Sequence, residues 1–173
     1  MEKLVFNAEF FNIKDTLECG QIFRYRPFEK GYIVISANKI CYAYNEGENA
    51  ILECEKDDCN YFINFFDIDR KYDLIYNSAL NENIEFLTQS AVVGKGVRIL
   101  NQDKRETLIS FMVSQNNNIP RIKLILERLC EILGEEKLFL GEKYYTFPTI
   151  EKMALAPLEF YEQIGLGYSA KLI

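Results

Sequence analysis

The chain has 173 residues, 49% of them hydrophobic, and 20 basic against 26 acidic side chains give a net charge of −6. That length buries a sizeable core as one large or two small domains, and no apolar run approaches the roughly 18 residues of a membrane span. There is no histidine, and five cysteines (Cys19, Cys41, Cys54, Cys59, Cys130) are scattered without a CxxC pair. No metal site or cofactor is expected, reduced thiols are the default, and acid–base chemistry must come from Asp, Glu, Lys, Cys or Tyr. MEKLVFNAEFF lacks the pattern of a signal peptide, so a cytoplasmic protein is expected.

Residues 3–17 alternate and carry Phe6, Phe10 and Phe11, which suits a first strand. In LECGQIFRYRP, Gly20 interrupts an extended pattern. It marks either a bulge or a backbone kept bare so that a ligand can reach it. From Ile22 to Cys54 the period is close to two, with breaks at 29–31, 37–38 and 46–49. That is an antiparallel meander with one apolar face (Ile33, Ile35, Tyr42, Tyr44) and one able to face water. DDCNYFINFFDI then places Tyr61, Phe62, Phe65 and Phe66 at helical spacing, a core stripe rather than a base-stacking platform. Helices over 69–80 and 83–93 follow, then Thr149–Ala156, Pro157–Ile164 and a helix begun after Gly167. No strand is expected after residue 93. The fold class is α+β: a small antiparallel sheet domain with its following helices, 1–93, then a mostly helical domain, 94–173.

The stretch SFMVSQNNNIPRIKLILERLCEIL, Ser110 to Leu133, reads as two apolar helices joined by amides. Ile122, Ile125, Leu126, Leu129, Ile132 and Leu133 form the stripe of the second. Asn118 is its N-cap, Pro120 sits in its first turn, and Gly134 stops it. Leu108, Phe111 and Met112 mark the inner face of the first. Gln115-Asn116-Asn117-Asn118 holds four side-chain amides, one of them needed as a cap. The tract is either a polar turn or a set of donors and acceptors offered to a phosphate or base. Charge distribution bears on the second reading. Residues 94–128 hold seven basic groups (Lys95, Arg98, Lys104, Arg105, Arg121, Lys123, Arg128) against three acidic, the one positive block in an acidic chain. A phosphate-binding face has that pattern.

Four stretches together resemble the 8-oxoguanine DNA glycosylases of the helix-hairpin-helix superfamily: GQIFRY (20–25), the block from Gly96 to Cys130, YYTFP (144–148) and GLGYSAKLI (165–173). The resemblance spans essentially the whole chain and matches about the first two-thirds of a family member. It implies a monomeric base-excision enzyme that flips 8-oxoguanine out of double-stranded DNA. Asn116 would enter the vacated space with Asn118 beside it, and Arg121 would donate to the orphaned cytosine. Tyr168 would wedge the strand. A backbone carbonyl at Gly20 would accept the N7–H that 8-oxoguanine has and guanine lacks.

Two departures accompany the resemblance. Many members have a second arginine after the wedge tyrosine, where this chain has Ser169, so opposite-base selectivity is expected to relax. The family's glycine-rich hairpin, its nucleophilic lysine and a later aspartate have no match, and in family order they fall beyond Ile173. Lys171 matches a basic position before the hairpin and receives no catalytic role. The reading is therefore an 8-oxoguanine N-glycosylase with β-lyase activity in its full-length form, whose first 173 residues hold no catalytic residue and are themselves inactive. The alternatives are a non-catalytic lesion-binding module, half of a split enzyme, and a plain structural domain.

Overall fold

The computed structural model describes residues 1–167. In chain order the elements are β1 (Glu2–Asn7), α1 (Ile13–Glu18), β2 (Tyr25–Phe28), β3 (Gly31–Ser36), β4 (Lys39–Glu46), β5 (Asn49–Cys54), α2 (Cys59–Phe65), α3 (Tyr72–Asn81), α4 (Glu85–Val93), α5 (Lys104–Ser114), α6 (Ile119–Leu133), β6 (Glu136–Phe139), β7 (Glu142–Tyr145), α7 (Ile150–Leu155) and α8 (Leu158–Gln163). This is the expected α+β fold.

The meander forms as its period requires, and β1 joins its far edge, giving the order β1-β5-β4-β3-β2. β5 is paired on both sides, with Leu52 opposite Leu4 on β1 and opposite Ala43 on β4. The face able to meet water is closed here: five consecutive residues of β4, Ile40 to Tyr44, are all buried, so this strand is shielded on both faces. The expected single strand over 3–17 is also corrected. The Asn12 side chain accepts the Asp15 N–H at 3.1 Å and starts α1, which turns the chain before Gly20. Gly20 thus follows a helix and sits in no strand.

By compactness the chain divides into two units. The first comprises residues 1–21, 26–33 and 41–101; the second comprises 22–25, 34–40 and everything from 102 onward. Residues 94–101, expected to open the second domain, cluster with the first unit. The Gly96 carbonyl accepts the Asn12 N–H at 2.8 Å, and the Asn101 N–H donates to Phe65 O at 2.8 Å. Within this unit the aromatic stripe is core, with Phe11, Phe62, Phe65 and Phe66 fully buried and the Phe65–Phe66 centroids 5.0 Å apart.

The second unit is organised by α6. Its buried stripe (Ile122, Ile125, Leu126, Leu129, Cys130) packs against Val113, Phe147, Met153, Tyr161, Ile164 and Leu166. Each large side chain of that set contributes about 1.5–3 kcal/mol by leaving water. Ile132, assigned to the stripe, is instead 61% exposed at its edge in the last turn. Gly134 ends α6 as expected, and its bare Cα also admits a close approach: a Cβ there would lie 2.2 Å from the Thr146 carbonyl.

Two further expectations are overturned. Leu108 and Phe111 face solvent, at 59% and 63% exposure, and the inner side of α5 is Glu106, Ser110 and Val113. The reason is a buried ion pair. Glu106 Oε1 meets Arg24 Nη1 at 3.3 Å, and its other oxygen accepts the Ala37 N–H at 2.6 Å. Arg24 also donates to the Tyr145 carbonyl and lies over the Phe147 ring. A strand pair also occurs after residue 93, since β6 and β7 form a hairpin through Leu140 and Gly141, both at positive φ.

Candidate nucleic-acid interface

The joint between α5 and α6 carries the amide tract, and local hydrogen bonding sorts its members. Asn118 caps α6, its Oδ1 accepting the Arg121 N–H at 3.0 Å. Asn117 donates to the Val113 carbonyl at 2.8 Å, satisfying an end of α5 that the helix leaves open. Gln115 reaches the Phe111 carbonyl at 3.4 Å. So Asn117 and Gln115, read from sequence as surplus to local structure, help terminate α5. Asn116 differs. It is exposed, its φ is +63°, and its side chain makes no hydrogen bond to another described residue. The left-handed region costs most L-residues roughly 1–2 kcal/mol, and asparagine is among the few that enter it routinely. The turn therefore needs an Asn-like backbone at 116 and leaves its amide unengaged.

Arg121 is exposed one turn into α6. Its guanidinium donates to the Gly165 carbonyl at 3.1 Å, and Arg128, two turns on, reaches the Ile164 carbonyl at 3.4 Å. Two arginines of one helix thus satisfy the carbonyls that end α8. They seat the turn through Gly165 and Gly167, whose φ values are +102° and +56°. Tyr168, the expected wedge, lies outside the described residues, as do Ser169 and Lys171.

The positive block is smaller on the surface than in the sequence. Arg98 is 7% exposed, its guanidinium held between the Phe11 and Tyr72 rings and donating to Asp67 O at 2.5 Å. It is part of the core of its unit and is not placed for a phosphate. Lys95 pairs with Glu9 at 3.1 Å, Arg105 is half-buried over the Phe147 ring, and Lys123 lies 3.5 Å above the Tyr25 ring. Lys104, Arg121 and Arg128 are the exposed members.

Gly20 belongs to the first unit. It is exposed, with φ +92°, and apart from its chain neighbours no described residue lies within 4 Å of where a Cβ would stand. The positive φ requires glycine here, and the open space leaves its peptide accessible. Sequence reasoning missed its neighbour. The Gln21 side chain donates to Thr16 O at 2.9 Å and to Arg98 O at 2.7 Å, and accepts the Leu100 N–H at 2.9 Å. An amide directly after a left-handed glycine was the available signal. Among the described residues no cluster of three or more Cys, Asp or Glu is disposed to hold a metal, and no helix is long and apolar enough to cross a membrane.

Comparison with known proteins bears directly on this geometry. The family model for the 8-oxoguanine DNA glycosylase N-terminal domain matches residues 3–108. The N-glycosylase/DNA lyase of Saccharomyces cerevisiae is 29% identical over 189 aligned positions, covering 99% of this chain and 50% of its own. The apo 8-oxoguanine glycosylase/lyase of Clostridium acetobutylicum superimposes with a TM-score of 0.90 at 32% identity, over 99% of this chain and 61% of that one. Its complex with double-stranded DNA containing cytosine opposite 8-oxoguanine gives 0.86 at 34%, over 94% and 57%. The chain spans about half the length of the yeast relative and about three-fifths of the solved chains. With its N-terminal domain matched by the family model and its fold shared with solved members, the chain belongs to the 8-oxoguanine DNA glycosylase family.

Proposed function

We propose that these residues form the lesion-reading and gap-filling portion of an 8-oxoguanine N-glycosylase acting in base-excision repair. The full-length enzyme, a cytoplasmic monomer, would add β-lyase chemistry. The observation that carries the reading is Asn116: it alone of the four amides at the joint is left without a described partner, on a backbone turn that exposes it. An amide offers donor and acceptor together, which suits a space lined by unpaired base edges. Arg121, anchored at Gly165, donates to the cytosine left behind, as the guanidinium fork suits its acceptors. At Gly20 the exposed carbonyl accepts N7–H of the flipped lesion, where guanine offers a lone pair instead. No lysine in residues 1–173 matches the family's nucleophile, so binding rather than bond cleavage is assigned to this stretch. The test compares equilibrium binding to duplexes that differ only in an 8-oxoguanine·cytosine or guanine·cytosine pair. Preference for the lesion is expected, and with an 8-oxoguanine·adenine duplex added, Arg121→Ala should weaken binding when cytosine is opposite the lesion and much less when adenine is. Equal affinity for both duplexes refutes the assignment.

A further inference from the structure

Gly20 has no means of fixing its own conformation. It carries no side chain, its N–H and C=O make no hydrogen bond to another described residue, and apart from its chain neighbours nothing lies within 4 Å of where a Cβ would stand. Glycine loses more freedom on ordering than any other residue, so a reader built on its peptide needs an external brace. The adjacent side chain has that form. Gln21 turns its amide nitrogen to two carbonyls, Thr16 O at the end of α1 and Arg98 O, with Cys19 Sγ also in reach at 3.3 Å, and its oxygen accepts from Leu100 N–H. Toward residues 98–100 it pairs as a neighbouring strand residue would, accepting from one N–H and donating to the carbonyl two residues earlier.

The wall it grips is itself fixed. The Arg98 N–H donates to Thr16 Oγ1 at 3.2 Å, the same hydroxyl reaches Gly96 O at 3.3 Å, and the Arg98 side chain is buried between two rings. We propose that Gln21 is a positioning residue: its side chain, pinned to α1 and to residues 98–100, holds the Gly20 peptide at the angle that distinguishes 8-oxoguanine from guanine. This rests on the assignment of Gly20 as the lesion reader.

The experiment measures affinity of the 173-residue chain for the 8-oxoguanine·cytosine and guanine·cytosine duplexes, for wild type, Gln21→Leu and Gln21→Glu, with thermal melting of each. Gln21→Leu removes the side-chain hydrogen bonds to Thr16 O, Arg98 O, Cys19 Sγ and Leu100 N–H together. Gln21→Glu keeps the acceptor for Leu100 and faces two carbonyls with a carboxylate, so it serves if Gln21→Leu does not fold. The lesion-to-guanine affinity ratio is expected to fall about tenfold in either variant, the scale of one lost discriminating hydrogen bond. Backbone ¹⁵N relaxation of the wild type supplies a readout that needs no variant: the Gly20 amide should be as ordered as the helices, with an order parameter near about 0.85. A mobile Gly20 in wild type, or variants that weaken both duplexes equally, overturns the positioning role while leaving the lesion-reading function standing. A wild type without lesion preference overturns that function and this inference with it.

Discussion

Replacing Asn116 by glycine separates the architecture of the joint from its use. At φ +63° alanine is strained by about 1 kcal/mol or more, while glycine is not. Asn116→Ala therefore confuses lost function with lost stability, and Asn116→Gly removes the amide alone. The amide has no described partner, so its removal leaves no buried group unsatisfied. Urea denaturation should place Asn116→Gly within about 0.5 kcal/mol of wild type, against about 1 kcal/mol lost by Asn118→Ala, which forfeits the cap on Arg121 N–H. Function should order the two oppositely. Extruding a base costs a few kcal/mol of unstacking and unpairing. If the Asn116 side chain offsets about 2 kcal/mol of that, its loss weakens binding to the lesion duplex roughly thirtyfold, and Asn118→Ala weakens it much less. Should Asn116→Gly destabilise the fold as much as Asn118→Ala, or bind the lesion duplex like wild type, Asn116 is a turn residue and the gap-filling role is wrong.

Three other outcomes are expected. Glu106→Leu strands the buried Arg24 guanidinium and the Ala37 N–H, and should cost about 3–5 kcal/mol in denaturant unfolding, whereas Arg24→Met with Glu106→Leu together should recover most of it; a double-variant loss equal to the sum of the two single losses would show that the pair is not coupled. With Arg121 assigned to the cytosine, Lys104 and Arg128 are the exposed cations of the positive block left for phosphates, so binding should fall with salt at a log–log slope of about −2, while the roughly −6 expected if all seven bound phosphates would contradict the buried place of Arg98. Burial pushes the Cys130 thiol up to about 11 and the Cys54 thiol to about 12, above their unfolded range. Folded pKa values raised in this way stabilise fully below the unfolded value of about 8.5 and are lost as pH rises through the folded ones, so unfolding free energy should drop between those limits and less steeply in Cys130→Ala.

What the sequence determined by itself is local. The cap, proline and glycine that bound α6 act within one turn of their own residues, so Asn118, Pro120 and Gly134 were legible without any partner. The same holds for the meander, whose period is a property of each strand, and for the phenylalanine stripe of α2, which has nowhere to go but inside. Hydrophobic spacing also proposed an inner face for α5, and tertiary structure reversed it. A carboxylate belongs inside only when a cation from 82 residues away meets it there, and no periodicity of α5 encodes Arg24. Arg98 left the positive face for the same kind of reason, since Phe11, Tyr72 and Asp67 O are gathered around it from distant segments. The β6–β7 hairpin was hidden because Leu140 occupies a left-handed turn position that ordinarily announces itself with Asn, Asp or Gly. At the joint, four identical-looking amides were ranked only by which carbonyls α5 and α6 left open. Hydrogen bonds engage three of them, and the one left over is the candidate reader.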